Sequence, residues 1–210
     1  MPYKKYTFSF TAASALVKET MVIAELYLKH NDWSKVEMDV IQNNVLQKNK
    51  TNTIRRELFE IKKRLSNLNQ NELNLLVNGD MNTTKMMIYL SIVKTYSFIY
   101  EFVNEVLNNK FIQFERYLSD ADYSKFIDSK TNTHPELEAI SEKTVAKVKQ
   151  VTFKILEQIG IIDSLKTKMI IKPYLEISCV ETIVNDNPMM LSAFLYSDGE
   201  IKNIKNLIKA

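Results

Sequence analysis

Glycine is nearly absent from this 210-residue chain, which has three: Gly79, Gly160 and Gly199. Phosphate-cradling loops need clustered glycines so that backbone N–H groups can close on the ligand, so neither a Walker loop nor a dinucleotide fingerprint fits. Proline is equally scarce, at Pro2, Pro135, Pro173 and Pro188. Sheet-rich chains turn often and use these two residue types to do so; their scarcity predicts an all-α chain of long helices. The single cysteine, Cys179, allows no intrachain disulfide, which suits a reducing, cytoplasmic setting. His30, His134 and Cys179 are far apart, so no clustered metal-ligand set is present. The expectation is no catalytic centre, no metal, no cofactor and no small-molecule substrate. No signal-like apolar run follows the first ten residues. The most apolar segment, residues 86–107, is broken by Lys94, Glu101, Asn104 and Glu105. A spanning helix needs roughly 20 mostly apolar residues, so this segment reads as a buried central helix and not a membrane span.

What is present is ordinary globular material, 45% apolar and 25% charged. Apolar spacing predicts helices over about 11–30, 34–47 and 52–68. Asp32 and Ser34 are cap candidates, with Trp33 packing across the preceding turn. Asn71 is expected to cap a short helix closed by Gly79. From Thr83 or Thr84 a long apolar stretch runs to Phe114, with a possible break at 95–97. Ser119 caps the next helix, and Pro135 suits the first turn of one ending near Ile159 before Gly160. After Gly160 the texture changes. Ile161-Ile162 and Met169-Ile170-Ile171 could pair as a short hairpin, followed by helices capped by Ser178 and opened by Pro188. Residues 1–159 therefore read as a helical bundle domain, and 160–210 as a small winged-helix-like unit packed on it.

The net charge is only +3, but it is segregated. Between Val45 and Ser66 lie Lys48, Lys50, Arg55, Arg56, Lys62, Lys63 and Arg64, against Glu57 and Glu60. Ile54, Leu58, Ile61, Leu65 and Leu68 mark a buried stripe at helical spacing. Arg55, Arg56, Lys62 and Lys63 fall opposite it, with Phe59 among them. Arginine grips phosphate through paired hydrogen bonds, and three of the four arginines are here. A second row, Lys143, Lys147, Gln150 and Lys154, lines the helix after Pro135. A basic stripe is usually a solvated face; two stripes with an exposed-looking phenylalanine bring phosphate binding into balance with that reading. Lys202, Lys205 and Lys209 share a further face. Other candidates have structural readings: Asp120 and Asp122 suit a helix start, His134 a helix entry, and Cys179 a small buried site.

Several segments resemble the BrxA family, a small component of BREX phage-resistance systems. The carriers include Ser9-Phe10-Thr11, Ser14-Ala15-Leu16, Ile23-Ala24-Glu25-Leu26-Tyr27-Leu28, Asp32-Trp33 and Asn44-Val45-Leu46-Gln47. Arg55-Arg56, Glu60-Ile61, Arg64-Leu65, Gly79-Asp80, Glu101-Phe102, Asp122-Tyr123, His134, Gln150-Val151 and Gly160 continue the match. Their order and spacing extend over residues 6–175. The resemblance implies an all-helical fold similar to the RNA-binding antitermination factor NusB, and a non-enzymatic, DNA-binding role beside other BREX proteins. The family has also carried an inner-membrane label, which the sequence does not support. The leading expectation is binding of double-stranded DNA by Arg55, Arg56, Phe59, Lys62, Lys63 and Arg64, with Lys143, Lys147 and Lys154 as a second line. A protein-interaction scaffold without nucleic-acid contact, and RNA binding, are the alternatives.

Overall fold

The computed structural model describes residues 5–209, with side chains of residues 5–208, and most of these are helical. Backbone contacts divide them into two compact units. One is residues 15–95 and the other joins residues 5–14 to everything from Tyr96 onward. The expected boundary at 160 falls inside the second unit.

The 15–95 unit holds α1 (Val17–His30), α2 (Trp33–Gln42), α3 (Thr51–Leu65), α4 (Gln70–Asn78) and α5 (Met81–Thr95). α1 starts later than its apolar spacing suggests because Leu16 is in the left-handed region at φ 52°, which no helix can continue through. Residues Ser9–Ala12 instead make a separate 3₁₀ turn. α2 begins as expected: the Asp32 carboxylate accepts a hydrogen bond from the Ser34 N–H. It ends at Gln42, because Asn44 and Gln47 take positive φ. α4 is capped by Asn69, two residues before the expected Asn71. Asn69 and Glu72 exchange side-chain to backbone bonds in a capping box. Gly79 does end α4, but with extended backbone; it is required because a Cβ there would lie 2.4 Å from the Thr83 methyl and 2.6 Å from the Leu75 carbonyl. α5 is buried almost all round from Met86 to Val93, as a central helix should be. It stops at Thr95, and the extended Tyr96 starts a new helix.

The second unit holds α6 (Ser97–Phe102), a π-helical turn Val103–Asn108, α7 (Asn109–Ile112), α8 (Asp120–Thr131), α9 (Glu142–Ile159), α10 (Ile177–Asp186) and α11 (Asp198–Lys209). Its core is aromatic. Phe98 and Phe102 meet Phe126 edge-on, with ring centroids 5.6 and 5.2 Å away, and Phe102 stacks at 6.1 Å on Phe153 of α9. Ser119 caps α8 in a box with Asp122, as expected. Pro135 opens only a short 3₁₀ turn, Pro135–Leu137. Ser141 then caps α9 separately, since its side chain accepts from the Thr144 N–H. Gly160 ends α9 at φ 92°, a conformation that suits glycine. Among the described residues the hairpin region forms no named strand. Ile162 and Ile170 make one antiparallel bridge, and Tyr117 and Met169 another. α10 lacks a side-chain cap; its N-cap is Glu176, not Ser178. Asn187 caps a 3₁₀ segment, Pro188–Phe194, where Pro188 was expected to open a helix.

Candidate nucleic-acid interface

α3 buries Ile54, Leu58, Ile61 and Leu65, the stripe its spacing predicts. Its two carboxylates are buried with them. Glu57 lies 3.3 Å from Lys48, which also reaches Glu19 at 2.7 Å. The hydrogen bond that Lys48 donates to Glu19 raises the Lys48 pKa despite the opposing effect of burial. Glu60 holds Arg64 at 3.1 Å. Because both acids turn inward, the solvent side of α3 carries basic charge without a carboxylate of its own helix.

Arg55 and Arg56 are exposed there, and neither has an ion pair among the described residues. Phe59 is 67% exposed between them and Lys62. Lys62 and Lys63 are half-buried in the last turn, where positive charge suits the helix C-terminus. The Lys62 ammonium lies 5.4 Å over the ring of Trp33, whose other partner is Tyr27, stacked at 4.2 Å. Packing of Trp33 back across the preceding turn was expected, and Tyr27 is what it meets; Lys62 over its ring was not expected.

Arg64 is corrected. Its side chain is 0% exposed, bonded through Nε to Glu60 at 3.1 Å and through Nη1 to the Ala15 carbonyl at 3.4 Å. A guanidinium held inside the unit cannot reach a phosphate, and its role is structural. It sits four residues after Glu60, a spacing legible in the sequence as an ion pair.

On α9, Lys143, Lys147, Gln150 and Lys154 are all exposed along one row. Lys147 donates to Gln150 at 3.0 Å, and Lys154 is ion-paired with Glu157 at 2.9 Å. Two adjoining grooves border this row. One, of about 580 Å³, is lined by Thr11, Lys143, Lys147 and Gln150; the other, of about 340 Å³, by Ser14, Lys147, Lys154 and Leu165. Other lysines of this stretch are engaged elsewhere. Lys149 and Lys168 converge on Asp120 at 3.2 and 2.7 Å, and Lys172 meets Glu200 at 2.6 Å. Lys202 and Lys205 are exposed on α11, while the Lys209 side chain lies outside the described residues.

The remaining candidates take structural places. Asp122 closes the α8 capping box, and Cys179 is buried. His134 is buried against Tyr6, rings parallel at 3.5 Å, with Nδ1 3.0 Å from Glu136. Among the described residues no group of three His, Cys, Asp or Glu side chains could hold a metal ion. Nor is any helix among them long and apolar enough to cross a membrane.

A model of the BrxA family matches residues 4–187. The chain belongs to the BrxA family. Two relatives carry the description "BREX protein BrxA". That of Bacillus cereus (strain H3081.97) is 30% identical over 150 residues, 71% of this chain and 75% of the relative. That of Escherichia coli O9:H4 (strain HS) is 26% identical over 158 residues, 75% and 74% of the two chains. A crystal structure of an uncharacterized protein from Magnetospirillum magneticum superposes with a TM-score of 0.79. It covers 91% of this BrxA-family chain and 98% of its own at 18% identity, a likeness of fold.

Proposed function

We propose that this BrxA-family chain is a non-enzymatic component of a BREX phage-resistance system that binds double-stranded DNA through phosphate contacts. The observation that carries the reading is the inward turn of Glu57 and Glu60, which leaves Arg55 and Arg56 exposed without a carboxylate partner. Two arginines there lie away from the helix C-terminus, where a dipole would favour them, and have no ion pair among the described residues. Unneutralised arginines on a helix face suit phosphate. Lys62 and Lys63 extend this face, and Lys143, Lys147 and Lys154 supply a second contact line on α9. The contacts are to backbone, so they confer affinity and little base selection.

The finer architecture belongs to the same proposal. The bundle uses its helix faces as a NusB-like protein would, and residues 160–210, with the Ile162–Ile170 bridge, act as a winged-helix-like element at a groove. The protein works in the cytoplasm, where the DNA is. A mobility-shift titration of duplex DNA over a salt series tests the reading. Binding should fall log-linearly with salt, and competition by duplex RNA of equal length reads the preference between the two polymers. No shift at low salt would overturn it, and better competition by RNA would reassign the ligand.

A scaffold role toward other BREX proteins is favoured by a separate observation. Tyr174 and Ile177, three residues apart in the sequence, are 72 and 77% exposed, and neighbouring large exposed side chains suit a partner surface. Replacing Tyr174 and Ile177 with serine should then abolish co-purification with BREX partners and leave DNA binding intact.

A further inference from the structure

Phe59 is the one large side chain on the solvent side of α3 that phosphate binding does not use. It is two-thirds exposed, so it contributes little to the core. Residues three and four apart on a helix are surface neighbours. Phe59 therefore has Arg55 and Arg56 before it and Lys62 and Lys63 after it, four basic side chains around one aromatic face. Beyond Lys62 stands Trp33, with Lys62 over one side and Tyr27 stacked at 4.2 Å. Trp33 is thus occupied and Phe59 is open.

A phenyl ring ringed by cations is poorly suited to another protein's apolar anchor, which would have to bury those charges beside it. It suits a polyanion that carries its own flat apolar groups. Paired bases inside a duplex cannot reach it, whereas an unpaired base offers a π-face at the distance of its own phosphates. We propose that the α3 face takes DNA where at least one base is unpaired, with Phe59 stacking on that base while Arg55 and Arg56 hold the flanking phosphates. This deepens the phosphate-binding reading and rests on it.

Three probes of equal length separate the terms: a fully paired duplex, the same duplex with a short single-stranded gap, and the gapped duplex with abasic sites in the exposed strand. The wild-type protein should bind the gapped duplex roughly tenfold more tightly than the other two. In Phe59→Ala that preference should vanish, and Phe59→Tyr should restore it. Melting temperature checks that the exposed substitution leaves the fold intact. Equal binding of gapped and paired duplex by the wild type would overturn the stacking proposal, as would a preference that survives in Phe59→Ala. Neither result touches the phosphate reading. That reading fails separately, if the Arg55→Ala/Arg56→Ala double variant binds the paired duplex with wild-type affinity and salt slope.

Discussion

On α3 the carboxylates Glu57 and Glu60 turn inward and take Lys48 and Arg64 with them, so the outer arginines keep their charge. On α9, Glu157 stays at the surface and draws Lys154 to 2.9 Å, and Asp120 of α8 draws Lys149 and Lys168. One row is thus left bare and the other is partly neutralised. The number of basic residues in a segment says less about a ligand than where its acids point.

Disturbing the inward pairing on α3 should have the largest effect. Arg64→Ala strands the buried Glu60 charge and should cost about 3–5 kcal/mol in denaturant unfolding. Replacing both partners, Arg64→Met with Glu60→Leu, should recover most of that loss. Recovery of nothing would mean that the pair does not account for Arg64. Next in size, Lys143→Ala/Lys147→Ala should lower the magnitude of the salt slope for duplex DNA by about two, since neither lysine has an ion pair among the described residues. An unchanged slope removes α9 from the interface. A smaller effect of opposite sign is expected from Glu157→Gln, which frees Lys154 and should tighten duplex binding about two- to threefold, by analogy with the modest worth of exposed ion pairs. Weaker binding would contradict the account of α9.

The smallest effect concerns Asp120. Hydrogen bonds from Lys168 and then Lys149 hold its carboxyl below the ordinary 3.8. A depressed carboxylate stabilises the fold above its unfolded value, and that stability is lost as pH falls through the folded value. Between pH 7 and about pH 3, wild-type stability should therefore fall slightly more than that of Asp120→Asn. For so exposed a group the difference is under about 1 kcal/mol.

Most helices were legible because their cues are local: Asp32 and Ser119 as caps, Gly160 as a left-handed terminus, and the stripe from Ile54 to Leu65. The misses were long-range or conformational. No sequence rule places Leu16 at φ 52°, and that one residue shifts the start of α1 to Val17. Ser141 outcompeted Pro135 as the start of α9 because the 3₁₀ turn ends at Leu137. At the site, the exposed set of Arg55, Arg56, Phe59, Lys143, Lys147 and Lys154 was readable from periodicity. Arg64 was not, because charge alone does not reveal that its neighbour Glu60 faces the core. Trp33 packing across the α1–α2 turn was legible, but Lys62 over its ring comes from α3, and no local pattern announces that contact.

Whether bare arginines on α3 hold DNA phosphates is read from the affinity of wild-type protein and of Arg55→Ala/Arg56→Ala for two unrelated duplexes across a salt series. The variant should bind both duplexes more weakly alike, by about tenfold or more at low salt, with the slope reduced in magnitude by about two. Equal affinities and equal slopes for the two proteins would contradict phosphate binding by these arginines.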